Sequence, residues 1–145
     1  MFDRKIYLEI KPYLKTHDVI VIHGSRQTGK TTLLKILMKD LPAEDTCYFD
    51  LEDSRLLYLC EEGIESIINY LRQKGILKNQ EIFFLLIDEI QYLSNPSSLL
   101  KIVHDHYPQI KLIVTGSSSF DMLKLQATKL IYFSSTKCNI QNQTS

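Results

Sequence analysis

Gly24-Ser25-Arg26-Gln27-Thr28-Gly29-Lys30-Thr31 decides how this chain is read. It has the form G-x-x-x-x-G-K-[ST], a phosphate-binding loop. The two glycines let the backbone curl until successive N–H groups face an anion, where side chains would otherwise collide. Lys30 then reaches the β- and γ-phosphates of a nucleotide, and Thr31 offers its hydroxyl to Mg2+. Such a loop must leave a buried strand and open a helix. Val19-Ile20-Val21-Ile22 is a β-branched run, and Leu33, Leu34, Leu37 and Met38 follow Lys30 at helical spacing. The helix N-terminus would aim its positive dipole end and its unpaired N–H groups at the same anion. The expected nucleotide-binding set is Gly24, Ser25, Arg26, Gln27, Thr28, Gly29, Lys30, Thr31 and Thr32.

Working outward, 145 residues with 44% hydrophobic and 23% charged content suit one domain with a sizeable core. Seventeen basic residues balance seventeen acidic ones. No global field therefore draws the chain to nucleic acid or to an anionic membrane. Cys47, Cys60 and Cys138 are far apart and form no C-x-x-C pair, as expected of free structural thiols in a reducing compartment. The charged N-terminus lacks a signal-peptide core, and the longest apolar run, Ile82 to Ile87, is far short of a bilayer span. A cytoplasmic protein with no membrane segment is expected.

Along the chain, Phe2, Ile6, Ile10 and Leu14 make a helical stripe that Pro12 should bend or end. The helix after the loop should stop near Leu41-Pro42. Thr46 to Leu51 reads as a second strand, with Ser54 capping a short helix behind the acidic turn Glu52-Asp53. Asp50 and Glu52 would lie near the carboxyl edge of the sheet, where ligands bind in open α/β folds, although a solvated turn is the favoured reading. Ile64, Ile67, Ile68 and Leu71 form an amphipathic helix that Gly75 terminates. Phe83-Phe84-Leu85-Leu86-Ile87 is apolar on both faces, like a parallel strand covered on each side. Asn95-Pro96 opens a helix with Leu99, Leu100 and Val103 inward, and His104 and His106 are read as surface residues on different faces. Lys111 to Thr115 is a fourth strand, Phe120 to Leu125 a further helical segment, and Lys129 to Phe133 a candidate fifth strand. Residues 1–133 form the expected core. Ser134 to Ser145, rich in Ser, Thr, Asn and Gln with hardly an apolar anchor, is expected to be a frayed tail.

The apolar strand ending in Asp88-Glu89 supplies a second half to the site. Asp88 can hold Mg2+ through its water shell opposite Thr31. Glu89 can take a proton from an attacking water. If the fourth strand lies beside the third, the Thr115 hydroxyl could orient that water or sense the γ-phosphate, with Ser117 as the alternative. A threonine that merely caps the turn is the competing reading.

The loop through Leu34, then Ile87-Asp88-Glu89-Ile90-Gln91, then Thr115-Gly116-Ser117-Ser118, together resemble the AAA-domain family of prokaryotic ATP-binding proteins. The closer resemblance is to the group that joins such an ATPase core to a C-terminal domain of unknown function. It spans about residues 4 to 126. The resemblance implies a three-layer α/β P-loop NTPase of the AAA+ type, a parallel sheet flanked by helices. It also implies Lys30 and Thr31 as Walker A, Asp88 and Glu89 as Walker B, and Thr115 near sensor one. Similar chains continue into a Gly-Arg segment and a second domain. Here none of that is recognisable from about Lys129, and no arginine follows Arg72. An incomplete C-terminal end is thus expected, without the trans-acting arginine such chains carry late in the core.

Two functions follow, with ATP and Mg2+ as ligands. The first is an ATPase, with Lys30, Glu89 and Thr115 serving the chemistry and Thr31 and Asp88 the metal. Its turnover should be slow without that arginine. The second is a nucleotide-binding module without useful turnover. A small-molecule phosphotransferase using Asp50 or Glu52 as base is disfavoured, because such enzymes usually close an Arg-rich lid over the phosphates. A protein partner and homo-oligomerisation are expected beside the nucleotide. The residues carry no clear nucleic-acid signal.

Overall fold

The computed structural model describes residues 4–24, 29–117, 128–133 and 138–143. α1 (Arg4–Ile10) runs into a 3-10 turn at Lys11–Tyr13, where Pro12 ends the α-helical run. β1 (Val19–His23) leads to α2 (Lys30–Lys39), which stops just before Leu41-Pro42. Then come β2 (Thr46–Asp50), α3 (Ser54–Glu61), α4 (Ile64–Gln73) and β3 (Phe83–Asp88). After a 3-10 turn at Ile90–Tyr92 follow α5 (Pro96–His106), β4 (Ile110–Gly116), β5 (Thr128–Phe133) and β6 (Cys138–Gln143).

The sheet order is β2-β3-β4-β1-β5-β6. Every pairing from β2 to β5 is parallel, and β6 returns antiparallel along β5. Alternation along the strands sorts the apolar residues into two cores. Val19, Val21, Phe83, Leu85, Ile87, Leu112 and Val114 face Ile64, Ile67, Leu71, Leu100 and Val103 of α4 and α5. Ile20, Ile22, Phe84, Leu86 and Ile113 face Leu33, Leu34 and Leu37 of α2, with Ile10 and Leu14 closing that side. β3 is buried at all six positions, as a strand covered on both faces must be. Gly75, at φ 74°, ends the α4 region, where the Ile76 N–H donates to the Leu71 carbonyl at 2.9 Å. Among the described residues, no helix is long and apolar enough to cross a membrane.

The structure corrects three local expectations. The polar tail is not wholly frayed: Cys138–Gln143 pairs with β5 from Phe133↔Cys138 to Thr128↔Gln143. Without β6 the edge of β5 would present unpaired backbone N–H and C=O groups, and backbone pairing needs no apolar side chains. The α3 cap is Asp53 rather than Ser54, its carboxylate accepting the Arg55 N–H at 2.9 Å. His104 is not a simple surface residue. Its ring lies 4.2 Å from that of His17, and its Nδ1 is 3.0 Å from an Asp105 oxygen. Asn95 does cap α5, accepting from the Ser98 N–H at 3.1 Å. Phe2 and the helix expected over Phe120 to Leu125 lie outside the described residues.

Candidate nucleotide site

β1 and β4 are neighbours, and the Gly24 N–H donates to the Gly116 carbonyl at 3.2 Å, so the first loop glycine leaves the sheet at a fixed height. Gly29 adopts φ 90°, a left-handed conformation that glycine takes at little cost. Its carbonyl accepts the Leu33 N–H at 3.0 Å and so starts α2. Lys30 is 6% exposed, and its ammonium folds back to donate to the Gly24 carbonyl at 3.0 Å. The lysine thus bridges the two ends of the loop, a position from which it can turn to an incoming anion. Ser25, Arg26, Gln27 and Thr28 lie outside the described residues. Thr32 is exposed on the first turn of α2.

At the tip of β3 the Asp88 carboxylate is 2% exposed and accepts three hydroxyls from three elements. Thr31 Oγ1 of α2 donates to Oδ2 at 2.8 Å, and Tyr48 Oη of β2 donates to the same oxygen at 2.7 Å. Thr115 Oγ1 of β4 donates to Oδ1. Having given its proton to Asp88, the Thr31 oxygen keeps its lone pairs for a cation, and both residues are hard oxygen donors of the kind Mg2+ takes. Sequence reasoning missed Tyr48, although the alternation of β2 and its parallel pairing with β3 put Tyr48 and Asp50 on one face. Burial, then the hydrogen bond to Asp88 and the carboxylates of Asp88, Asp50 and Glu52, raise the Tyr48 phenol far above its ordinary range. It therefore stays a donor at any working pH.

Thr115 is fully buried beside Asp88, as its placement on the neighbouring strand requires. Its hydroxyl is engaged inward: it donates to Asp88 and accepts the Glu89 N–H at 2.9 Å. Glu89 has φ 63° and ψ 50°, left-handed for a residue with a side chain. Its Oε1 accepts from Gln91 Nε2 at 3.0 Å, and Gln91 Oε1 in turn accepts the Ser117 N–H at 3.1 Å. Gln91 thus ties Glu89 to the loop leaving β4. Ser117 contributes this backbone N–H.

Asp50, opposite Asp88 in register, turns one carboxylate oxygen to the Glu52 N–H at 3.0 Å, while the Glu52 side chain is exposed. The turn holds itself together, in keeping with the solvated reading. Cys47 and Cys60 are free thiols, pushed up by burial to about 11 and about 12.

A family model described as "AAA domain" matches residues 16–132. The chain is 29% identical over 123 residues to Uncharacterized protein MJ1544 of Methanocaldococcus jannaschii. That match covers 85% of this chain and 26% of the relative, so the chain spans about a quarter of that protein's length. Among solved structures it is similar to PCH-2 of C. elegans, with TM-score 0.54 and 19% identity over 84% of this chain and 40% of that one. It is also similar to AMPPCP-bound DnaA from Aquifex aeolicus, with TM-score 0.50 and 16% identity over 90% of this chain and 44% of that one. Matched over most of its length and built on the same doubly covered parallel sheet, the chain belongs to the AAA domain family of P-loop nucleotide-binding ATPase domains.

Proposed function

We propose that the chain binds ATP with Mg2+ at the loop between β1 and α2 and hydrolyses it through Glu89. The observation that carries this reading is the contact of Thr31 with Asp88 at 2.8 Å, which joins the phosphate loop to the acidic tip of β3. When bound, Mg2+ would neutralise charge on the phosphate oxygens. In this reading Lys30 leaves the Gly24 carbonyl for the β/γ-phosphates, and the α2 N-terminus receives the anion. Thr31 and Asp88 would hold the cation, Thr31 offering its hydroxyl oxygen and Asp88 its carboxylate. Glu89 accepts a proton from the attacking water, and Thr115 positions both acidic residues through their hydrogen bonds. The residues of the loop from Ser25 to Thr28, with Thr32, complete the phosphate-binding set.

Turnover by this chain alone is expected to be slow. In related phosphoryl transfers an arginine supplied late to the site contributes about 10³- to 10⁵-fold, and the stretch after Arg72 contains no arginine. A neighbouring protein or a second copy of the chain is the proposed source of that charge. One contact favours a second reading, a nucleotide-binding module without useful turnover: the Glu89 carboxylate is held by Gln91. Phosphate release under saturating ATP and Mg2+ separates the two. Measurable release that falls about 10²- to 10⁴-fold in Glu89→Gln, with ATP binding intact, supports hydrolysis by this base. Tight binding with no release in either protein supports the binding module.

A further inference from the structure

We propose that Tyr48 is a positioning residue for the cation site, anchoring Asp88 from the sheet so that this carboxylate meets Mg2+ only through water. The inference rests on the ATP and Mg2+ reading above. Tyr48 pairs in register with Leu86, two residues short of Asp88 on the adjacent strand. Two residues of strand amount to about 6.6 Å, a gap that a phenol can bridge and a serine or threonine cannot. Its Oη donates to Oδ2 at 2.7 Å, the oxygen that also accepts Thr31. A carboxylate oxygen has two in-plane acceptor sites, so these two donors fill Oδ2, while Thr115 takes Oδ1.

The donors differ in what they are attached to. Thr31 sits one residue after Lys30 on the phosphate loop, so its hydroxyl follows whatever the loop binds. Tyr48 belongs to β2, and its ring is backed by the Lys35 ammonium 5.8 Å from the ring centroid. The sheet therefore holds Asp88 in place while Thr31 turns its lone pairs to the cation. Without the phenol, Oδ2 would gain a free acceptor site, and Asp88 could tilt away from the orientation in which it receives a metal-bound water.

The test is calorimetric titration of ATP at a series of Mg2+ concentrations into wild type, Lys30→Ala, Tyr48→Phe, Asp88→Asn and the Tyr48→Phe/Asp88→Asn double variant. Tyr48→Phe keeps the ring and loses only the donor. It should raise the half-saturating Mg2+ concentration about tenfold, in the range seen when a partner of a metal ligand is removed. ATP binding in EDTA should not change, and the substitution should add nothing in the Asp88→Asn background. An unchanged Mg2+ midpoint in Tyr48→Phe, or an equal shift in the Asp88→Asn background, overturns the role of Tyr48. A lowered melting temperature with the Mg2+ midpoint intact marks a merely structural tyrosine and overturns it too. Wild-type ATP binding that ignores Lys30→Ala instead overturns the underlying site reading, and the Tyr48 role with it.

Discussion

Two buried charges mark opposite ends of the sheet, and they are held in different ways. Asp88, at the carboxyl tip of β3, is held by side-chain hydroxyls of Thr31, Tyr48 and Thr115. Lys111, one residue into β4 at the other end, is 5% exposed, and its ammonium donates to the Thr16 carbonyl at 2.8 Å, to the Asp18 carbonyl and, at 3.3 Å, to the Thr16 hydroxyl, all on one connection. Hydroxyls on three elements can rotate and exchange a partner for a ligand. Carbonyls of one short connection before β1 can only hold that connection closed. The same physics, a buried charge satisfied by hydrogen bonds, thus leaves one end suited to the proposed binding and the other to architecture.

The first way to break this contrast is at the binding end. Lys30→Ala should weaken ATP affinity about 100-fold, the scale of a lost charge-assisted contact to an anion, while calorimetric melting changes little. Asp88→Asn should cost about tenfold, and only when Mg2+ is present. A large fall in melting temperature in either variant would make this end architectural as well.

The architectural end is sharpened by pH. Burial lowers the Lys111 ammonium from its ordinary 10.5 to about 8, so between those values the unfolded chain keeps a proton that the folded chain has released. Stability should therefore rise with pH through this window, and the full cost of burying the ammonium is present below pH 8. The slope should approach about 1 kcal/mol per pH unit. Above the ordinary thiol value of 9.0 the raised Cys47 and Cys60 act in the opposite direction, because the unfolded chain loses those protons first. Urea unfolding between pH 8 and 9 isolates the lysine. Lys111→Met should flatten that slope and leave ATP affinity unchanged. The smallest effect belongs to Asn95→Ala, which removes the α5 cap and should cost about 1 kcal/mol of stability in the same assay without touching nucleotide binding.

The sequence carries the regular parts of this architecture plainly, because burial imposes a period on it. Ile64, Ile67, Ile68 and Leu71 can face one core only as a helix, and Phe83 to Ile87 can be apolar throughout only between two layers. The expected phosphate loop and Asp-Glu tip stand out in the sequence for a similar reason, since the chemistry proposed for them calls for fixed residue types and spacing. Tyr48 is not, because the contact that matters joins strands 40 positions apart in the chain and depends on a register no local pattern encodes. β6 escapes for the opposite reason. Its residues have little apolar content to report, and the edge of β5 recruits them through backbone groups that every residue possesses. Gln91 belongs to a stretch that carries the family resemblance, but its link between Glu89 and Ser117 exists only in the fold.

Glu89 sits at φ 63°, where a side chain costs on the order of 1 kcal/mol that glycine would not incur. Any selection of random variants for heat resistance alone should therefore enrich Glu89→Gly, and the winners would be more stable proteins that lack the proposed base. Laboratory evolution of this domain would need a coupled selection for nucleotide turnover to keep that position acidic.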